Sequence, residues 1–125
     1  MEKMSLEALA REHLAKARAD SAGRSAGTVY GGHAHVLRQT LIALTSGTVM
    51  DEHHTNGEAT VYVLAGRVQL RAGADSWDGR AGDLIVVPRE SHSVVALEDA
   101  AFLLTTVTSL EPQQVGLDAP PSRPR

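Results

Sequence analysis

Gly47-Thr-Val-Met-Asp-Glu-His53-His54-Thr-Asn-Gly57-Glu58-Ala59-Thr-Val-Tyr-Val-Leu64-Ala-Gly66-Arg-Val68 is the stretch on which the reading of this chain turns. Two runs within it, 48–54 and 59–65, carry the Thr, Val and Tyr that favour a pleated surface, and Asn56-Gly57 breaks them apart. Gly47 and Gly66 fall where a turn needs positive φ or a close backbone approach. Beyond Gly66, Arg67-Val-Gln-Leu-Arg71 puts Val68 and Leu70 on one face and Arg67, Gln69 and Arg71 on the other, as a half-buried strand requires. A second stretch, Gly82-Asp83-Leu-Ile-Val-Val-Pro88-Arg-Glu-Ser-His92, again starts at a glycine. Its centre, residues 84–87, is apolar on both faces and reads as a central strand.

The same period-two pattern extends from Thr28 to Ser109, with strands expected at 28–30, 35–45, 48–54, 59–65, 67–72, 84–88, 92–97 and 101–109. Ala72-Gly-Ala-Asp-Ser76 reads as a loop. About eight short strands in roughly 85 residues predict a sandwich or closed barrel. Upstream, Leu6, Leu9, Ala10, His13, Leu14 and Ala17 recur at helical spacing, which predicts an amphipathic helix from Ser5 to about Ala22. Ser5 can cap its start, Gly23 can close its end in a left-handed conformation, and His13 falls on its surface. After Glu111 come Pro112, Pro120, Pro121 and Pro124, so a flexible or partner-docked tail is expected. The expected division is helix and linker at 1–27, barrel at 28–110 and tail at 111–125.

At 125 residues the chain is one domain's worth. Twelve Lys and Arg against fifteen Asp and Glu give a net charge of −3, the wrong sign for direct nucleic-acid binding, and imply no affinity for a membrane surface. With no cysteine there is no disulfide, no thiolate nucleophile and no thiolate-held zinc, so His, Asp or Glu would have to hold any metal. The first residues lack an apolar leader core and no stretch reaches the ~18–20 apolar residues of a span, so a cytoplasmic protein is expected. Six histidines outnumber the one Trp, one Phe and two Tyr, which points any chemistry toward imidazole. No Gly-x-Ser-x-Gly elbow, phosphate loop or His-Glu-x-x-His helix occurs.

Gly47-x5-His53, the Val63-Leu64-x-Gly66 ending, and Gly82-Asp83-x4-Pro88 followed by His92 resemble the two signature motifs of the cupin superfamily, over roughly residues 37–109. The resemblance implies an all-β fold, an antiparallel jelly-roll barrel also described as a double-stranded β-helix, here behind an N-terminal α-helix. It also implies a small-molecule ligand in the barrel and a homodimer pairing through sheet edges. Family spacing would put the second metal-binding His at Thr55 and the Glu at Ala59, so both are replaced here, and the family Asn position is Ala96. His53 and His92 carry over the remaining imidazoles.

His54 and Glu58 each stand one residue from a lost ligand position, and a one-residue offset turns a strand side chain to the opposite face. A bulge could return them. His53, His54 and His92, with Glu58, would then form a centre for a divalent transition metal such as Zn, Fe, Mn, Ni or Cu. Equally, His53 and His92 could serve as hydrogen-bonding groups in a metal-free pocket. His33 and His35 share a strand face as an alternative pair but also read as hairpin histidines, and Trp77 reads as a cover on the sheet. In the strand around Arg38-Gln39-Thr40, either Arg38 with Thr40, or Gln39, must face the interior; an inward Arg38 would select a carboxylate or phosphate, an outward one would pair with a neighbouring acid. Two functions follow: a non-catalytic or sensory barrel binding a small molecule, or a metal-dependent enzyme of dioxygenase or isomerase type.

Overall fold

The computed structural model describes residues 2–32, 34–53 and 57–107, the side chains of residues 52 and 53 excepted. Helix α1 spans Leu6–Ala19, with the Ser5 side chain accepting from the Ala8 amide at 3.1 Å. Glu7 in the first turn and Lys16 and Arg18 in the last suit the helix dipole. The helix stops short of Ala22 because Asp20, in an extended conformation, is its C-cap; the Asp20 carboxylate accepts from the Ala22 amide at 2.9 Å. Gly23, at φ 73°, serves instead as the hinge into the first strand.

Nine strands follow: β1 (Arg24–Tyr30), β2 (Leu37–Leu44), β3 (Val49–His53), β4 (Glu58–Ala65), β5 (Arg67–Ala72), β6 (Asp75–Arg80), β7 (Leu84–Val87), β8 (His92–Ala96) and β9 (Ala100–Val107). They form two antiparallel sheets, β1-β2-β9-β4-β7 and β3-β8-β5-β6. Strand β1 begins at Arg24, inside the stretch expected as linker. The loop expected at 72–76 overlaps the start of β6, a strand the sequence does not announce, because Asp75-Ser-Trp-Asp-Gly-Arg80 has almost no apolar alternation. It is an edge strand that exposes all but Gly79, so tertiary pairing with β5 makes it a strand rather than its own pattern. Trp77 lies on it opposite Leu70 and is 41% exposed.

Strand β7 corrects the opposite expectation. Residues 84–87 are not central: β7 is the edge of the five-stranded sheet, with Ile85 and Val87 buried and Leu84 and Val86 exposed at 61% and 74%.

The interior is filled by alternate residues of both sheets. Ile42, Leu44, Ala100, Phe102, Val61, Val63 and Ile85 meet Val68, Leu70, Val94 and Ala96 across the gap. The outer face of β2 and β9 is closed by α1, whose Ala10, Leu14 and Ala17 pack on Ala43 and Ala101. Small residues on both partners let the helix lie close to the sheet. The helix's C-terminal end is tied to the turn before β9 by Arg18 Nε donating to Asp99 Oδ2 at 2.8 Å; Asp99 Oδ1 accepts from the Ser46 amide at the same distance.

Two outcomes test this packing. Phe102 is fully buried at the centre, so Phe102→Ala should cost about 3–5 kcal/mol in urea unfolding. The hydrogen bond from Arg18, then that from Ser46, holds the Asp99 carboxyl below its usual range. A depressed carboxylate contributes stability above its unfolded pKa and loses it as pH falls through the folded one. Asp99→Asn should therefore lower the melting temperature slightly at neutral pH, and the gap from wild type should close below the ordinary carboxylate range.

Candidate functional site

The strand registers gather several chain ends at one end of the barrel. Leu37 pairs with Val107, Val107 with Glu58, Ala59 with Val87, and His53 with His92. There β2, β4 and β8 begin and β3, β7 and β9 end. The β7–β8 connection, residues 88–91, is too short to leave that end.

His92 is the one buried polar side chain among the described residues, 2% exposed. It opens β8 in phase with Val94 and Ala96, both core residues, so it faces the interior. Its Nδ1 lies 3.0 Å from the Glu90 carbonyl, which can only accept, so Nδ1 donates in this bond and fixes the plane of the ring. A histidine oriented this way suits either a metal or a ligand hydrogen bond.

Strand β3 reaches His92 through an irregularity. Met50 pairs with Val94 and His53 with His92, so residues 51 and 52 oppose Ser93 alone. In an unbroken ladder Glu52 would stand opposite His92; the extra residue moves His53 into that register. A bulge is thus present in this region, between Met50 and His53.

Glu58 takes the other side. Ala59 is 6% exposed and belongs to the core, whereas Glu58 is exposed and 3.5 Å from Arg89 Nη2. His35 precedes β2 at the same end, exposed, its ring edge-on to Tyr30 with centroids 5.2 Å apart. His33 and His54 lie outside the described residues. Among the described residues no three of His, Asp and Glu come together as a metal-binding group. The described residues alone therefore do not make a full donor set for a metal. His13, expected on the helix surface, lies in the seam between α1 and β1, with Nδ1 2.7 Å from Ser25 Oγ and its ring against Gly27.

Arg38 and Thr40 share the parity of Ile42 and Leu44 and so stand on the interior face; Gln39 faces outward and donates to Thr105 Oγ1 at 3.2 Å. Arg38 pairs with Thr106, and Thr106 with Ala59, so one interior rung reads Arg38, Thr106, Ala59, Val87. Thr106 was not singled out from the sequence, although its even phase with Phe102 and Leu104 was there to be read. The next rung, Thr40, Leu104, Val61, Ile85, is mostly apolar. The mouth is polar on two sides and its floor is aliphatic.

No protein-family model matches the sequence, and no curated protein sequence matches it. Solved structures do. A cupin superfamily protein from Desulfitobacterium hafniense aligns with a TM-score of 0.64 at 15% identity, over 69% of this chain and 78% of that one. An RmlC-like cupin from Shewanella frigidimarina aligns with 0.63 at 19%, over 74% and 83%. An HTH_3 family transcriptional regulator from Vibrio cholerae aligns with 0.61 at 18%, over 69% of this chain but 51% of its own length. Two antiparallel sheets in this strand order, the glycine-bounded motifs at Gly47, Gly66 and Gly82, and these likenesses agree: the chain folds as a small cupin, a jelly-roll barrel behind an N-terminal helix.

Proposed function

We propose that this protein is a non-catalytic barrel that binds a small molecule at the end where His92 is buried, and that it serves a sensory role. The observation that carries the reading is a single buried imidazole, oriented by a backbone carbonyl, above an aliphatic floor, with alanine where the family carries an acidic ligand. Pockets of this make-up bind by apolar contact and use a few polar groups for orientation. His92 and His53 are the proposed ligand contacts. The likeness to a bacterial transcriptional regulator of about twice the aligned length supports a sensor role; the net charge of −3 argues against direct contact with nucleic acid by this chain. No described helix is long and apolar enough to cross a membrane.

A His-based metal centre, with His53, His54 and His92 and with Glu58 as a further ligand, is the competing reading. The orientation of His92 favours it; the outward Glu58, paired with Arg89, opposes it. Elemental analysis of tag-free protein, before and after dialysis against Zn(II) and Mn(II), separates the two. The binding-barrel reading expects well under one metal per chain in both samples. One metal per chain, lost in His53→Ala and in His92→Ala, would establish the metalloenzyme reading instead.

We further propose that a second copy of the chain covers the outer face of β4 and β7. Tyr62 pairs with Leu84 and Thr60 with Val86, which sets Tyr62, Leu84 and Val86 together on that face at 38%, 61% and 74% exposure. Residues 84–87 thus have the composition of a strand buried on both sides, while only one side is buried within the chain. Beside this patch the sheet carries a groove of about 610 Å³ lined by Met4, Leu6, Val29, Tyr30 and Leu103. An ordinary interface takes ~800 Å² from each partner, more than the four-residue edge of β7 alone supplies, so the proposed contact extends over the groove as well. Sedimentation velocity should show a dimer that Val86→Asp converts to monomer without a loss of fold. A wild-type monomer at tens of micromolar would refute the pairing.

A further inference from the structure

The charges at the barrel mouth are arranged for an anion. Arg38 stands on the interior face of β2, on the outermost rung, and takes part in no ion pair among the described residues. Its stem leaves the sheet beside Thr106, its direct cross-strand partner, at the ~4.5–5.5 Å Cβ spacing usual for such pairs. Thr40 lies two residues along on the same face, beside Leu104. One guanidinium and two hydroxyls therefore converge on one corner of the mouth.

Among the described residues no acid stands on the rung of Arg38. Ala59 occupies the place on this rung where an acidic side chain would cancel the charge. Glu58 is turned to the outer side and held by Arg89. Asp75 has the parity of the interior but sits on β6, beside β7. That is the side of the barrel away from β1, where Arg24 Nη2 donates to the Val49 carbonyl at 3.1 Å and joins the β1 and β3 edges. Arg38, on the second strand from that joined edge, thus lies away from Asp75. A guanidinium exposed at the rim of the aliphatic interior, with hydroxyls beside it and no acid on its own rung among the described residues, matches the planar, two-oxygen geometry of a carboxylate.

We propose that the ligand class of this barrel is a small carboxylate with an apolar body, its carboxylate held by Arg38 and Thr106 at the mouth and its apolar part lying over Leu104, Val61 and Ile85. The inference rests on the reading of the barrel as a small-molecule binder and adds the chemical class. It also gives the lost acidic residue a role: with Glu at position 59 the same rung would present a negative charge beside the incoming carboxylate.

Matched probes test it. Hexanoate and hexanamide, and benzoate and benzamide, differ within each pair in charge but hardly in shape, and each is titrated into ¹⁵N-labelled protein while the backbone amides of β2, β4 and β9 are followed. The acids should shift the amides around Arg38, Ala59, Leu104 and Thr106, with affinities about ten-fold or more above those of the amides. Arg38→Gln should remove that advantage and leave amide binding unchanged, and Arg38→Lys should restore part of it, because a point charge lacks the fork. Arg38 is exposed, so both variants should keep the wild-type spectrum away from the mouth. Equal binding of acids and amides, or an acid affinity untouched by Arg38→Gln, overturns the carboxylate assignment and leaves the binding barrel standing. No mouth shifts with any of the four probes up to tens of millimolar overturns both.

Discussion

Alternation of side chains across a pleated strand, interrupted once between Met50 and His53, is the constraint on which the site depends. Every interior residue of the five-stranded sheet follows from one phase: even numbers on β2 and β9, odd numbers on β4 and β7. That phase buries Phe102 and Val63 and brings Arg38, Thr106 and Ala59 onto the mouth rung. On the facing sheet the same rule puts Val94 and Ala96 in the core and His92 at the rim of it. Only β3 departs, and its extra residue decides whether position 52 or position 53 takes the register place opposite His92.

The arrangement separates stability from recognition along the barrel axis. At the closed end, aliphatic rungs and the small-residue contact between α1 and the sheet supply the burial that holds the fold. Gly66 belongs to that end: at φ 73° it turns β4 into β5 so tightly that an added Cβ would strike the Asp99 carbonyl, so the turn before β9 and the turn after β4 are packed as one unit. At the open end the rungs become polar and smaller, with Ala59 across from Thr106. Substitutions there change what the barrel accepts with little effect on the core, which is how one fold hosts many ligands.

Much of this was legible in the residues. The glycines at 47, 66 and 82 and the alternation in 67–71 fix turns and a half-buried strand, and the two motifs identify the barrel. Three parts were not. Strand β6 is polar because it is an exposed edge, so its pairing with β5 comes from the fold and not from its own pattern. Strand β7 has the composition of a central strand because its outer face is apolar, a property that points beyond the single chain. The bulge in β3 has no sequence signature: Asp51-Glu52 could sit in a regular strand, and only the register with β8 reveals which residue is supernumerary. Within the site, the sequence left open whether Arg38 or Gln39 faces the interior, and the ladder decides for Arg38; Thr106 needed the ladder to be noticed at all.

The register of β3 against β8 is the claim on which the rest stands, and cross-strand nuclear Overhauser contacts between assigned backbone protons measure it directly. The account predicts contacts joining His53 to His92 and Met50 to Val94, with Asp51 and Glu52 both near Ser93. Contacts joining Glu52 to His92 in an unbroken ladder would contradict it, putting position 52 rather than 53 opposite the buried histidine.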